Sequence, residues 1–561
     1  MTIHRPSPVR ALPLALVLSL LGGCKSDKKL GPVPGCTAAD AQTSPNLSIF
    51  QGTVVALDGG KTCAAALPAG GRYLVVPQFA IASDNPTKTS FLIGPGDPTT
   101  TTATTSLAAS ASRASLGVAA GDGDAGLGPQ QMLDRTLRAR ERELVPVAQS
   151  ERAARIKAGG NSPRLSTVAV DPALSRSFKV LGDLDGKSIK TSNASLKYTG
   201  SNVLVYVDVT APTGFTDAQI QSFGKLFDET LFPLEIAAFG EPSDIDANQR
   251  IVVLMTPLIN ALTTKSDCET KNEFVTGYFY GVDLLTTQTN SNKGEVFYSM
   301  VPDPTGQFSC VQPIFNVSQY VPATFIHEFQ HMISFGAHVV QRGGNDEDTW
   351  LNEGLSHIAE ELAANYYTAR SRPDSAEPFV RGNRGNGKSY LSSITDYSVT
   401  TYSDFGALPE RGATWLFLRW LSDLKDPTLG GTAVLRALVQ TNRTGVENVE
   451  AVANESFGQL FGAFGIALYT DSIPGYPRSS VPERFRFKTR TLRRDLAPYP
   501  LFLDQADPTP SGVTNSMVQG TMKHYSLTAA SGAATPVRFS RTDRRALNGD
   551  LAPQVGIFRL P

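Results

Sequence analysis

The run TFIHEFQHMISFGAHVVQRGGNDEDTWLNEGLSHIAEEL, residues 324–362, decides how the rest of the chain is read. It opens on His327-Glu328-Phe329-Gln330-His331, an H-E-x-x-H pattern. On an α-helix, positions four apart lie about 40° apart around the axis. A helix here turns the imidazoles of His327 and His331 to one side, where a single metal ion can bridge them. Glu328 stands beside them, placed to hold a water on that ion. Pro322 suits a first-turn position, where its missing N–H costs nothing, so the helix is expected to start near it. Phe325, Phe329 and Met332 fall on other faces and are expected to pack into a core.

Two histidines leave a metal under-coordinated. A catalytic zinc site takes a third protein ligand and keeps one position open. The pattern that adds a third histidine needs Gly at 334 and His at 337, and the chain has Ser334 and Ala337. Downstream stands Trp350-Leu351-Asn352-Glu353-Gly354-Leu355-Ser356. Leu355, Ile358, Ala359 and Leu362 recur at helical spacing, so Glu353 opens a second amphipathic helix. A carboxylate on a facing helix closes a His-His-Glu set.

HEFQH followed by WLNEGLSHIAEEL resembles the gluzincin metallopeptidases, most closely the hyicolysin family. The resemblance implies that His327, His331 and Glu353 are zinc ligands and that Glu328 is the general base. The interval from His331 to Glu353 is slightly longer than in thermolysin. Thermolysin-like enzymes carry an acidic residue four positions after the third ligand, where this chain has His357. The groups behind the ligands are therefore expected to differ. Glu360, two turns after Glu353, is placed to orient His327 or His331. Of the 6 histidines in the chain, His327, His331, His338 and His357 all fall in this stretch, which strengthens the case for a metal centre. Gluzincins commonly stabilise the oxyanion from the second subdomain, and the candidates here are Tyr397, Tyr402 and Arg411.

The chain has 561 residues, more than one ordinary domain. Its formal net charge of −1 gives no footprint for nucleic acid. Arg5 and Arg10 precede an apolar run over residues 11–21 that is too short for a membrane span. Leu21-Gly22-Gly23-Cys24 then resembles the lipobox of bacterial lipoproteins. This implies a signal peptide over residues 1–24, lipid attached to Cys24, and a location in the bacterial cell envelope, anchored to a membrane outside the cytoplasm. Residues 25–44 read as a tether. Setting Cys24 aside leaves 4 of the 5 cysteines, an even number in an exported chain. Neighbours in sequence pair as Cys36–Cys63 and Cys268–Cys310.

Residues 45–95 hold short β-rich runs separated by glycines and read as an N-terminal β-domain. Residues 96–164 read as a linker and a charged helix. Over 129–158 the charges alternate at helical spacing, which predicts a solvated helix, with a propeptide over the cleft as the alternative. The catalytic domain is placed at 165–475. Strands are expected at 202–209, 250–256, 278–285 and 295–301, with a helix capped by Thr216 after the first. By the zincin resemblance, an edge strand along the cleft binds an extended peptide by β-augmentation. Residues 371–411 read as loop, followed by helices at 414–424, 431–441 and 449–469. Asp244, Asp246 and Asn248 resemble half of a calcium loop, but Gln249 replaces the glycine and Met255 the final glutamate, so an Asx-rich turn is the better reading. Residues 476–561 read as a C-terminal β-rich domain.

The expected fold class is α+β. It comprises a zincin-like catalytic domain (a mixed sheet, a metal helix and a helical second subdomain) flanked by small β-domains. The expected function is an exported endopeptidase that uses Zn2+, with a protein or peptide substrate and a membrane as partners. The alternative is a non-catalytic surface-anchored binding lipoprotein whose structural zinc takes a fourth ligand from His338 or His357. A metal hydrolase acting on another substrate class shares the same site.

Overall fold

The computed structural model describes residues 33–83, 86–97, 127–159, 172–400, 406–426, 431–506 and 511–561. Residues from Pro34 onward form one compact unit. The first strands are β1 (Gly52–Ala56), β2 (Cys63–Leu67), β3 (Arg72–Phe79) and β4 (Lys88–Pro95). Helix α1 (Pro129–Lys157) follows, then β5 (Ser175–Leu181), β6 (Ile189–Thr199) and β7 (Val203–Asp208). Thr216 caps α2 (Asp217–Leu226) through a reciprocal capping box with Gln219. A wider turn at Phe227–Leu231 continues the helix into α3 (Phe232–Phe239). Next come β8 (Ile251–Met255), the short helices α4 (Pro257–Asn260) and α5 (Lys265–Lys271), β9 (Gly277–Phe279) and β10 (Val296–Ser299). The helical part follows: α6 (Ile314–Phe335), α7 (Thr349–Thr368), α8 (Pro373–Ser392), α9 (Leu408–Lys425), α10 (Thr432–Val439), α11 (Gly445–Ala453) and α12 (Phe457–Thr470). The chain ends with α13 (Leu492–Asp495), β11 (Asp504–Gln505), β12 (Val513–Val518), β13 (Tyr525–Thr528), β14 (Thr535–Ser540) and β15 (Pro553–Leu560).

The mixture of sheets and helices is α+β. The central sheet runs β5-β6-β7-β8-β10-β9. Strands β7, β8 and β10 are mutually parallel, whereas β9 runs antiparallel to β10 and ends the sheet. β7 and β8 are apolar runs because helices or loops cover them. Helix α6 crosses beside β9 and β10, and its Phe329 stacks on Phe232 with centroids 5.4 Å apart. Phe325 and Met332 are likewise fully buried, as the periodicity predicts.

Strands from the two ends of the chain interleave. One sheet is β1-β15-β3-β13-β11 and the facing one is β12-β4-β14-β2. The two flanking β-domains expected from sequence are therefore one sandwich. Either half alone would leave an apolar sheet face and open edges. Together they bury Phe79 stacked on Phe539 at 5.9 Å, with Phe91 edge-on to both. The disulfide Cys36–Cys63 ties the segment before β1 to β2, and Cys268–Cys310 ties α5 to the approach to α6.

Five other expectations change. The helix over 129–158, expected to be solvated, buries Leu133, Leu137, Arg138 and Glu141. The strand expected at 278–285 ends at Phe279, and a tight helical turn over Gly281–Leu284 follows it. Pro322 lies inside α6, which begins at Ile314. The buried row Val317, Val321, Phe325 spans the proline and outweighs its one missing hydrogen bond. The supposed loop over 371–411 contains α8, whose Phe379, Val380, Tyr390 and Leu391 are buried despite three glycines that weaken helix propensity. The single helix expected at 449–469 breaks at Asn454, which adopts a left-handed φ of 50° as a helix terminator.

Candidate metal centre

The helical spacing in α6 turns His327 and His331 to one face. Helix α7 lies against that face and presents Glu353 to both. The glycine after Glu353 has a packing reason. A Cβ on Gly354 would stand 2.3 Å from Thr414 Cγ2 and 2.8 Å from Leu418 Cδ1 of α9. Only a glycine lets α7 approach α9 this closely, and α9 carries Arg411 next to the site.

The three side chains bring ligand atoms into one cluster. His327 Nε2 and His331 Nε2 are 3.2 Å apart. Glu353 Oε2 is 3.6 Å from the first and its Oε1 3.5 Å from the second. Tetrahedral zinc with metal–nitrogen bonds of about 2.0–2.1 Å spaces its ligands about 3.3–3.4 Å apart. The cluster matches that spacing.

Hydrogen bonding explains why these groups suit a cation. His327 Nδ1 lies 2.8 Å from Glu360 Oε1, and His331 Nδ1 lies 3.0 Å from Asn352 Oδ1. Both partners are acceptors, so each ring, when neutral, carries its proton on Nδ1. Each Nε2 then presents a lone pair to the other and to a carboxylate. Glu353 Oε2 is ion-paired with Arg411 Nη1 at 2.9 Å, whereas its Oε1 faces His331 Nε2 at 3.5 Å. Buried lone pairs facing one another are unfavourable until a cation sits among them. The residues fit zinc.

Burial alone would keep Glu353 protonated, but Arg411 and the two histidines hold its pKa well below the ordinary range. Burial also works against the charge on Glu360, yet His357, 3.1 Å away, and His327 bring its pKa down to about 2. His327 is pushed down by burial and pulled further up by Glu353 and Glu360, so it ends well above its usual value. His331 is lowered, first by burial and then by Arg138. Glu328 is raised to about 7, chiefly by burial. Its Oε2 accepts a hydrogen bond from Phe279 N of β9 at 2.8 Å.

The other sequence candidates divide. Glu360 orients His327, one of the two histidines it was placed to serve. Arg411 touches Glu353, whereas Tyr397 packs half-buried against the core and Tyr402 lies outside the described residues. His338 lies apart, 3.7 Å from Glu347. His357 groups instead with His327 and Glu360. Asp244, Asp246 and Glu295 converge, but their oxygens accept local hydrogen bonds. Gln249 N donates to Asp244, Asn248 to Asp246, and Ile245 N and Ser243 Oγ to Glu295. Asn248 is thus part of an Asx-rich turn. Cys24 lies outside the described residues.

Two functional neighbours escape a sequence reading. Asn352 holds His331, and its only signal is its place beside Glu353. Asp134 of α1 accepts from Arg411 Nη2 at 2.6 Å, and nothing in the sequence links positions so far apart.

No protein-family model matches the chain. The neutral metalloprotease ShpI of Staphylococcus hyicus is 30% identical over 308 residues, which cover 54% of this chain and 64% of that protein. The chain thus spans just under two thirds of the length of this relative.

Proposed function

We propose that the chain is an exported, zinc-dependent endopeptidase of the gluzincin type, with His327, His331 and Glu353 as ligands and Glu328 as general base. The juxtaposition of that ligand triangle with Glu328 and the edge strand β9 carries the reading. The similarity to a metalloprotease supports it. When bound, zinc supplies Lewis acidity, polarising a scissile carbonyl and lowering the pKa of water.

The side chains supply the rest. Glu328 takes the proton of the attacking water and returns it to the leaving amine. Its hydrogen bond from Phe279 N keeps the carboxyl beside β9. That strand pairs only with β10 within its sheet, so its outer edge is the one an extended peptide would join, in place of Gln130 and Arg138 of α1, which donate to Gly277 O and Phe279 O. Arg411 keeps Glu353 ionised for ligation. Glu360 and Asn352 fix the tautomers and ring planes of the histidines. Export and anchoring through Cys24 belong to the same proposal, and the two disulfides fit an oxidising compartment.

Two substitutions test it. Glu328→Gln keeps shape and removes the basic oxygen. Zinc content should stay near that of the wild type while peptide hydrolysis falls by about two to four orders of magnitude. Glu353→Gln removes a ligand, so zinc itself should be lost or weakened. A folded, zinc-loaded Glu328→Gln variant that cleaves as fast as the wild type would end the proposal, and so would a wild type that binds no zinc.

A further inference from the structure

Two histidines share one carboxylate oxygen behind the metal centre. On α7, His357 stands one turn after Glu353 and Glu360 one turn after that, so the three form one stripe on the helix. His327 Nδ1 of α6 lies 2.8 Å from Glu360 Oε1, and His357 Nδ1 lies 3.1 Å from the same oxygen. The two rings meet edge to face, with centroids 5.0 Å apart and planes 70° apart. All three side chains are buried.

His327 alone would hold Glu360 loosely. A glutamate side chain has several rotatable bonds, and a buried carboxylate with one polar partner recovers little of the hydration it gives up. His357 supplies a second contact from the same helix, three residues earlier, where the backbone fixes the spacing. The ring has no other polar engagement in the described structure, since its Nε2 meets no protein donor or acceptor. Its backbone is pinned as well, because His357 O accepts from Asn383 Nδ2 of α8 at 2.9 Å.

The same geometry separates His357 from the ion. His357 converges with His327 and Glu360, whereas the ligand triangle is His327, His331 and Glu353. With its Nδ1 turned to Glu360, His357 leaves to water the fourth position that a catalytic zinc keeps open.

We infer that His357 is a positioning residue: it braces the Glu360 carboxylate against His327 Nδ1, and through that carboxylate it fixes the orientation of a metal ligand. This inference rests on the metal-centre reading above. It adds to that reading a residue outside the ligand set, with a role distinct from ligation.

The test uses the full chain and reads zinc affinity by competition with a chromophoric chelator, with circular dichroism reporting the fold. His357→Phe keeps a ring against His327 and removes both nitrogens. It should weaken zinc binding about tenfold, the low end of the loss that follows removal of a partner behind a ligand. In the Glu360→Ala background the same change should cost less than about twofold, because residues that act through one contact are not additive. His357→Asn returns an N–H close to the place of Nδ1 and should recover most of the loss. Should the phenylalanine variant fail to fold, His357→Leu takes its place in both backgrounds.

Wild-type affinity in folded His357→Phe overturns the inference. So does a loss that persists at full size in the Glu360→Ala background, which would make His357 a ligand in its own right. Failure of His357→Asn to recover affinity overturns it as well, since packing alone would then explain the loss. A wild type that binds no zinc rejects the metal-centre reading, and this inference falls with it.

Discussion

Glu360 offers the sharpest probe of the metal centre, because it touches no peptide and ligates no ion in the proposed arrangement. Its buried carboxylate accepts from His327 Nδ1 at 2.8 Å and lies 3.1 Å from His357 Nδ1. With a pKa brought down to about 2, it is charged at any working pH. A hydrogen bond to a charged group is worth about 1.5–3 kcal/mol. Part of that strength passes to the ligand, since a carboxylate on Nδ1–H raises the basicity of Nε2. Loss of such a partner costs about 10–100-fold in metal affinity, or about 1.4–2.8 kcal/mol. The two magnitudes agree, so Glu360→Ala should weaken zinc binding about 30-fold. Glu360→Gln keeps an acceptor but loses the charge, and should cost about tenfold or less. Asn352→Ala removes a neutral acceptor from His331 and should fall in the same smaller range. Competition with a chromophoric chelator measures all three, with circular dichroism confirming the fold. If Glu360→Ala binds zinc as tightly as the wild type, His327 is not held for metal by this carboxylate.

The remaining predictions concern stability and location. Burial raises Glu295 from 4.5 to about 8. Its folded pKa exceeds the unfolded one, so its contribution is complete below about pH 4.5 and is lost as pH rises toward 8, at about 1.4 kcal/mol per pH unit. Glu295→Gln keeps an acceptor for Ser243 and Ile245 and should flatten that part of the decline, so that its Tm advantage grows between pH 5.5 and 8. Parallel Tm curves for the two proteins would remove Glu295 as the cause. For Cys24, the Ser variant should be released from membranes or left unprocessed. Unchanged membrane fractionation and mature mass would refute lipid attachment there.

The parts of the molecule legible in the sequence are those that depend on local periodicity. His327 and His331 could be placed together because four residues nearly complete a helical turn. Glu353 followed because it opens an apolar-periodic run. The apolar runs of β7 and β8 and the Thr216 cap were readable for the same reason. What stayed hidden depends on partners distant in sequence. Nothing in residues 553–560 says that they pair between β1 and β3, because register comes from tertiary packing. Charges at helical spacing in α1 look solvated, since a sequence shows the charges but not the strand edge that satisfies them. Helix α8 was hidden by its glycines, whose propensity cost is outweighed by burial against α7 and α9. The Arg411–Glu353 contact joins two helices whose approach depends on the missing side chain of Gly354.

Charge balance links these elements. The buried carboxylates of Asp134, Glu141, Glu235, Glu328, Asp346, Glu353 and Glu360 lie around the cluster together with the buried guanidinium groups of Arg138 and Arg411. Arg138 is matched by Glu141, while Arg411 is shared between Asp134 and Glu353. Removing so many acids from water with so few cations costs several kcal/mol for each uncompensated charge. Protons relieve part of that cost: burial raises the pKa values of Asp134 and Glu328, and His327 is drawn upward by its acidic neighbours despite its own burial. A divalent cation among His327, His331 and Glu353 would relieve the same imbalance while displacing those protons, so metal affinity and pH are coupled there. The excess of buried acid over base around His327, His331 and Glu353 is therefore the same feature that would favour a cation among them.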